Sequence, residues 1–309
     1  MFRKTTGAGF APCVFHSDGD AGRGGDDTVG PVPTIDAAAD RILLAGGYRN
    51  QVWKVRDGRR WLIEKRYAED PGEANPMYPN LPDHEAAALA LLGPLGLSPR
   101  LVASEPGQLT YEFVTGRMWH RDVGQVASLL HAVHALPAPR AMRLLCDSAA
   151  EARAHADTMI GAVPARMAAP LLVVRPQSVA DHPVRRRSLV HTDCGPGNLV
   201  RSRHGLVLID WQCPGRGDAV EDLACFLSPA MMILYESPPH TPAARDAFLD
   251  AYDDRSVVAR YRRDAAAWHY RIGGYCVWRA HRLARQQPEV AARYHRALTA
   301  EIEHIRGLE

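Results

Sequence analysis

A turn-rich interruption at residues 188–218, in a C-terminal half that otherwise follows helical periodicity, constrains this chain more than any other feature. It reads Leu189-Val190-His191-Thr192-Asp193-Cys194-Gly195-Pro196-Gly197-Asn198-Leu199-Val200, followed by Leu206-Val207-Leu208-Ile209-Asp210-Trp211. Gly195, Pro196 and Gly197 force a tight loop that can fold Asn198 back toward Asp193. The Val207 to Ile209 strand then delivers Asp210 to the same end of a hairpin. Carboxylate and amide oxygens converge there. They suit a hard cation such as Mg²⁺, which keeps several waters and takes its remaining ligands from substrate phosphates. The competing reading is that Asp193 and Asn198 only form side-chain turns and that Asp210 only ends a strand.

Upstream, Ile42, Leu43 and Leu44 lead into Gly46 and Gly47, Val52, Trp53 and Val55 follow, and Trp61, Leu62 and Ile63 run up to Lys65 after Asp57-Gly58. This predicts three short antiparallel strands, with a glycine turn before the second and an Asp-Gly turn before the third. A helix is expected from about His84 to Leu92, capped by Asp83 and ended by Gly93-Pro94. Strands are expected at Arg100 to Ala103 and Leu109 to Val114. Val123, Val126, Leu129, Leu130 and Val133 then recur at helical spacing before Pro137. The predicted architecture is α+β: a small antiparallel-sheet lobe over residues 35–115 and a larger, mainly helical lobe over 116–309. Residues 1–34, glycine- and aspartate-rich with little apolar periodicity, are expected to be a disordered tail.

The 309 residues are 46% hydrophobic and 23% charged, enough apolar material for a sizeable core. Thirty-seven basic and 35 acidic side chains leave a formal charge of +2, which removes the whole-chain basic footprint of a nucleic-acid protein. There is no apolar run of membrane-spanning length and no signal-peptide core, so the expectation is a cytoplasmic protein without membrane attachment. The six cysteines are scattered without a Cys-x-x-Cys pair, which fits reduced thiols.

These motifs in order resemble the aminoglycoside phosphotransferase and choline kinase superfamily, small-molecule kinases with a protein-kinase-like two-lobed fold. The family's His-x-Asp-x4-Asn matches His191, Asp193 and Asn198. Its apolar-Ile-Asp-Trp element matches Leu208 to Trp211, and its Gly-Asp-x3-Asp-Leu-Ala element matches Gly217, Asp218, Asp222, Leu223 and Ala224. The resemblance implies an ATP- and Mg²⁺-dependent transfer of the γ-phosphate to a hydroxyl of a small molecule. Asp193 would accept or orient the hydroxyl proton, and Asn198 and Asp210 would hold Mg²⁺. Lys65 would hold the α- and β-phosphates, fixed by Glu85. Backbone groups of the Gly46, Gly47 and Asn50 turn would approach the phosphates, with the bulky Tyr48 and Arg49 departing from the family's small residues. Adenine would read the backbone from Glu112 to Val114. His191, Asp218 and Asp222 are expected to be structural, the first bracing the catalytic loop and the others capping and bracing the next helix. A Cys194–His191 nucleophile is disfavoured, because Asn198 and Asp210 have no role in it.

For the acceptor, residues 238–309 carry twelve arginines, no lysine and nine acids, an arrangement that argues mildly against a polycationic aminoglycoside. Trp211, Trp268, Tyr275 and Trp278 offer either a cage for a quaternary ammonium or packing for a helical core, the second being the simpler. Arginines 185–187 and Arg260 to Arg263 read as solvated faces rather than a nucleic-acid surface. The alternatives are therefore a choline- or ethanolamine-kinase-like enzyme and, from another class, a nucleotide-binding module without transfer activity.

Overall fold

The structure is a computed structural model and describes residues 41–46, 50–68, 75–179 and 181–308. The expected tail at 1–34 and Gly47, Tyr48 and Arg49 of the glycine turn lie outside the described residues.

The N-terminal part is a five-stranded antiparallel sheet built from β1 (Arg41–Gly46), β2 (Asn50–Asp57), β3 (Arg60–Tyr67), β4 (Leu101–Glu105) and β5 (Gln108–Glu112), in the order β1-β2-β3-β5-β4. The Asp57-Gly58 turn joins β2 and β3 with Gly58 at φ 60°, a conformation open to glycine at little cost. In β3, Ile63, Lys65 and Tyr67 alternate onto one face. Against the sheet packs α1 (Pro82–Leu92), which buries Glu85, Ala88, Leu89 and Leu92. The expected cap is not used: Pro82 opens the helix, no side chain caps it, and Asp83 lies within the first turn. Proline presets the helical φ and has no N–H to satisfy, so it starts the helix one residue before the aspartate. The strands also run a residue or two differently from expectation, as ladder ends do.

Beyond the sheet, β6 (Gly116–Met118) pairs with β8 (Leu199–Ser202), which pairs in turn with β9 (Gly205–Leu208). A Cβ at Gly116 would lie 2.3 Å from the Arg201 carbonyl oxygen, so only glycine lets β6 approach this closely. A two-stranded ladder joins β7 (Ser188–Val190) to β10 (Gly215–Gly217). The helices are α2 (Val123–His134), α3 (Ala149–Gly161), α4 (Ala165–Leu172), α5 (Val220–Leu227), α6 (Pro229–Leu234), α7 (Pro242–Ala251), α8 (Arg255–Leu283) and α9 (Pro288–Arg306). The apolar repeat in α2 buries Val126, Leu129, Leu130 and Val133, and the Asp122 carboxylate caps it by accepting from Gln125 N–H. The 29-residue α8 is capped by Asp254 and forms the axis of the helical part, with α3, α5 and α9 packed along it. The turn-rich interruption thus lies between the sheet and this helical core.

Candidate active site

Lys65 projects from the central strand β3 into the space between the sheet part and the β8–β9 hairpin. Its ammonium lies 2.8 Å from Glu85 Oε2 on α1 and 2.6 Å from Asp210 Oδ1 just beyond β9. The lysine is 2% exposed. Burial is the largest single influence and pulls its pKa down, but the combined attraction of Asp210, Glu85 and the nearby tyrosines leaves it raised well above the ordinary lysine value. The amine is therefore a permanent cation. Glu85 is completely buried and is also bonded by the Tyr67 hydroxyl, while its Oε1 has no partner among the described residues.

The hairpin brings the oxygen-bearing residues together as the spacing predicts. Ile209 N–H donates to the Asn198 carbonyl at 2.9 Å, which sets Asn198 beside the start of the Asp210 turn. Asn198 Nδ2 donates to the Asp193 carbonyl at 2.7 Å and to Tyr235 Oη at 2.9 Å, so its amide oxygen faces away from these bonds. Among the described residues neither Asn198 Oδ1 nor Asp210 Oδ2 takes part in a hydrogen bond. These are two hard oxygens of the kind Mg²⁺ selects. No group of three or more His, Cys, Asp or Glu among the described residues could enclose a metal ion. A cation here would complete its shell with water and phosphate oxygens, the usual habit of Mg²⁺.

Asp193 sits on the loop between β7 and β8 and is 1% exposed. Burial dominates its ionisation and raises its pKa from 3.8 to about 7, against the bonds from Tyr235 and Asn198. A carboxylate with that value can take a proton near neutrality. Tyr235 O–H donates to Asp193 Oδ1 at 2.7 Å, and Oδ2 accepts no hydrogen bond among the described residues.

The loop is held from beneath. Asp193 N–H donates to His191 Nδ1 at 3.1 Å, so the opposite nitrogen carries the proton and donates to the Ile209 carbonyl at 3.0 Å. His191 is fully buried and its pKa is lowered by that burial, so it is a neutral brace. Asp222 reaches back from α5 to accept the His191 and Thr192 N–H groups, each at 2.8 Å, and to meet His134 Nε2 at 3.0 Å. It is fully buried, yet the His134 bond and its other donors hold its pKa below the usual carboxylate range. Asp222 thus has the structural part expected of it, but it braces the loop from His191 to Asp193 rather than its own helix. Asp218 does accept from Val220 N–H at the start of α5, at 3.1 Å. Thr192 and Asp210, which flank the site, have φ of 73° and 59°. Such left-handed geometry costs a non-glycine residue on the order of 1–3 kcal/mol and persists only where surrounding bonds enforce it.

Of the other expected binding residues, Gly46 ends β1, and Asn50 opens β2 with its side-chain nitrogen bonded to Asn80 Oδ1 at 3.1 Å and Gln212 Oε1 at 3.2 Å. Glu112 ends β5, and Val114 packs beside Val200, Val207 and Ile209 where the chain leaves the sheet. Gly47 lies outside the described residues. Cys194 is buried, donates to the Asp222 carbonyl at 3.1 Å, and has its thiol pKa raised by burial, which removes the nucleophile alternative. Trp211, Trp268, Tyr275 and Trp278 are all under 7% exposed and belong to the apolar core, not to an open cage. Arg187, Arg260, Arg262 and Arg263 each face a carboxylate, at Asp147, Asp218, Asp250 and Asp264. The sequence reading missed Tyr235 and Tyr67. Tyr235 follows the apolar run of α6 and has no spacing that would single it out.

Among known proteins, a model of the phosphotransferase enzyme family matches residues 40–269. A search of curated proteins returns no match. Solved structures that share the fold include choline kinase LicA from Streptococcus pneumoniae, 18% identical with a TM-score of 0.53 over 84% of this chain and 92% of that one. An amicoumacin kinase in complex with AMP-PNP, Ca²⁺ and Ami is 15% identical, with a TM-score of 0.57 over 86% of this chain and 88% of that one. Spectinomycin phosphotransferase APH(9)-Ia, in complex with ADP and spectinomycin, is 12% identical, with a TM-score of 0.53 over 84% and 92%. At such identities the likeness is one of fold, which is protein-kinase-like. The family match is the stronger finding, since its span runs from β1 through the loop that carries Asp193 and Asn198 into α8, and by it the chain belongs to the phosphotransferase enzyme family.

Proposed function

We propose that the chain is a cytoplasmic phosphotransferase that moves the γ-phosphate of ATP to a hydroxyl of a small molecule with the help of Mg²⁺. The observation that carries this reading is the buried Lys65 ammonium shared between Glu85 Oε2 at 2.8 Å and Asp210 Oδ1 at 2.6 Å. Structural ion pairs are seldom built this way, because burying a lysine and a glutamate beside a half-buried aspartate costs more than it returns unless the cation has further work. Phosphate oxygens supply that work.

In this reading Lys65 holds the α- and β-phosphates while Glu85 fixes its direction. Backbone groups around Gly46, Gly47 and Asn50 cover the phosphates, and the chain from Glu112 to Val114 receives adenine. Asp193 Oδ2 orients the acceptor hydroxyl and takes its proton as the new P–O bond forms. Mg²⁺ held by Asn198 and Asp210 would supply positive charge to the phosphate oxygens during transfer.

A choline- or ethanolamine-type acceptor is the second reading, favoured by the choline kinase among the structural relatives. The core position of the four aromatic residues speaks against the particular cage the sequence offered. The test is a panel of aminoglycosides, choline, ethanolamine, thiamine, sugars and amino alcohols, each assayed for acceptor-dependent ADP release from Mg·ATP. Release with one class identifies the acceptor. Tight Mg·ATP binding with no release for any of them would favour the module without transfer activity.

A further inference from the structure

We propose that Tyr235 is a positioning residue for the transfer step, fixing which oxygen of Asp193 faces the acceptor and tying that carboxylate to the metal-binding asparagine. This inference depends on the phosphotransferase reading above. Tyr235 follows α6, and its hydroxyl lies 2.7 Å from Asp193 Oδ1 and 2.9 Å from Asn198 Nδ2. An amide nitrogen can only donate, so the phenol oxygen accepts from Asn198 and its single proton goes to Asp193. The bonds therefore run one way, from Asn198 through Tyr235 to Asp193.

A carboxylate turns about its last side-chain torsion in a broad, nearly two-fold well and does not hold one orientation by itself. The Tyr235 proton occupies Oδ1 and presents Oδ2, which has no hydrogen bond among the described residues, to the cleft. The ring itself is locked. It is 6% exposed, and an added Cβ at Gly195 would lie 2.1 Å from it, so the loop's glycine makes the space the ring fills. The next residue, Glu236, has φ 57° and turns the chain away immediately. The Asn198 bond, the space at Gly195 and the turn at Glu236 thus hold one hydroxyl against the proposed catalytic carboxylate.

The test is Tyr235→Phe, which keeps the ring and removes only the oxygen, assayed alone and in combination with Asp193→Ala. If the tyrosine acts through Asp193, kcat should fall roughly tenfold or more, because a misaligned reacting group loses rate steeply. KM for ATP and for the acceptor should stay within about twofold, since the interaction lost matters only in the transition state. The double variant should then be no slower than Asp193→Ala, because the two residues form one unit. Wild-type turnover by Tyr235→Phe, or losses that multiply in the double variant, would overturn the proposal while leaving the phosphotransferase reading intact. A wild-type protein that releases no ADP with any acceptor would instead remove that reading, and this inference with it.

Discussion

The Lys65 ammonium lies 2.6 Å from Asp210 Oδ1 across a sequence separation of 145 residues, so an ion pair joins the sheet part to the end of the β8–β9 hairpin. Asp210 has a second oxygen with no hydrogen bond among the described residues, and in the proposed reading that oxygen holds the cation. Asp210→Ala is expected to abolish Mg²⁺-dependent nucleotide binding. Calorimetric titration with Mg·ATP checks it, and an affinity equal to wild type would remove Asp210 from the metal site.

Asp193→Ala should lower turnover by about 10²-fold or more while leaving ATP affinity nearly unchanged, because in the proposed reading the carboxylate serves the acceptor and not the nucleotide. Steady-state kinetics beside direct ATP binding separates the two. Equal loss in both would place Asp193 in nucleotide binding instead.

Lys65→Met leaves Glu85 completely buried without its cation. Breaking a buried pair from one side costs about 3–5 kcal/mol, whereas removing both charges is far milder. Urea denaturation should therefore show Lys65→Met well below wild type and Lys65→Met/Glu85→Gln partly recovered. Both should be inactive, which separates the stability of the pair from its proposed contact with phosphate.

Asp222→Ala withdraws the acceptor from the His191 and Thr192 N–H groups at once. Each buried donor left unsatisfied costs about 1–3 kcal/mol. Hydrogen exchange should accelerate at these two amides, and ADP release should fall although Asp222 is fully buried with both oxygens bonded to protein groups. Unchanged exchange there would mean the loop is held by other bonds.

Two partly buried histidines give acid sensitivity. Burial lowers the pKa of both His155 and His304 from 6.5 to about 4, with Arg271 and Arg143 adding to the effect at His155 and His269 at His304. His155 Nδ1 accepts from Arg271 Nε at 2.9 Å, a bond only the neutral ring can make. Between pH 6.5 and 4 the unfolded chain binds more protons than the folded one, so stability falls as pH falls through that window and is fully present above it. Thermal midpoints measured from pH 7 to 4 should drop less steeply in His155→Gln and His304→Gln than in wild type.

The fold class and the meeting of Asp193, Asn198 and Asp210 were legible because they depend on local chemistry. Glycine and proline dictate the loop, strand alternation carries Asp210 to the hairpin end, and an apolar period of 3.6 marks the helices. Lys65 and Glu85 were legible only through family resemblance, since a strand-end lysine and a first-turn glutamate each have ordinary explanations. Asp83 misled because proline at the first helical position outranks an aspartate one residue later. Tyr235 and the reach of Asp222 into the loop depend on how α5 and α6 pack against residues 30 to 42 positions earlier in the chain, a relation no local pattern encodes.

A β-branched threonine held at φ 73° immediately before Asp193 has a plain consequence. Left to its own preferences, an excised peptide spanning the hairpin would relax into an extended or right-handed conformation and scatter its oxygens. The loop's geometry belongs to the helices that clamp it, and the proposed chemistry would be lost as soon as they loosen, well before the chain unravels.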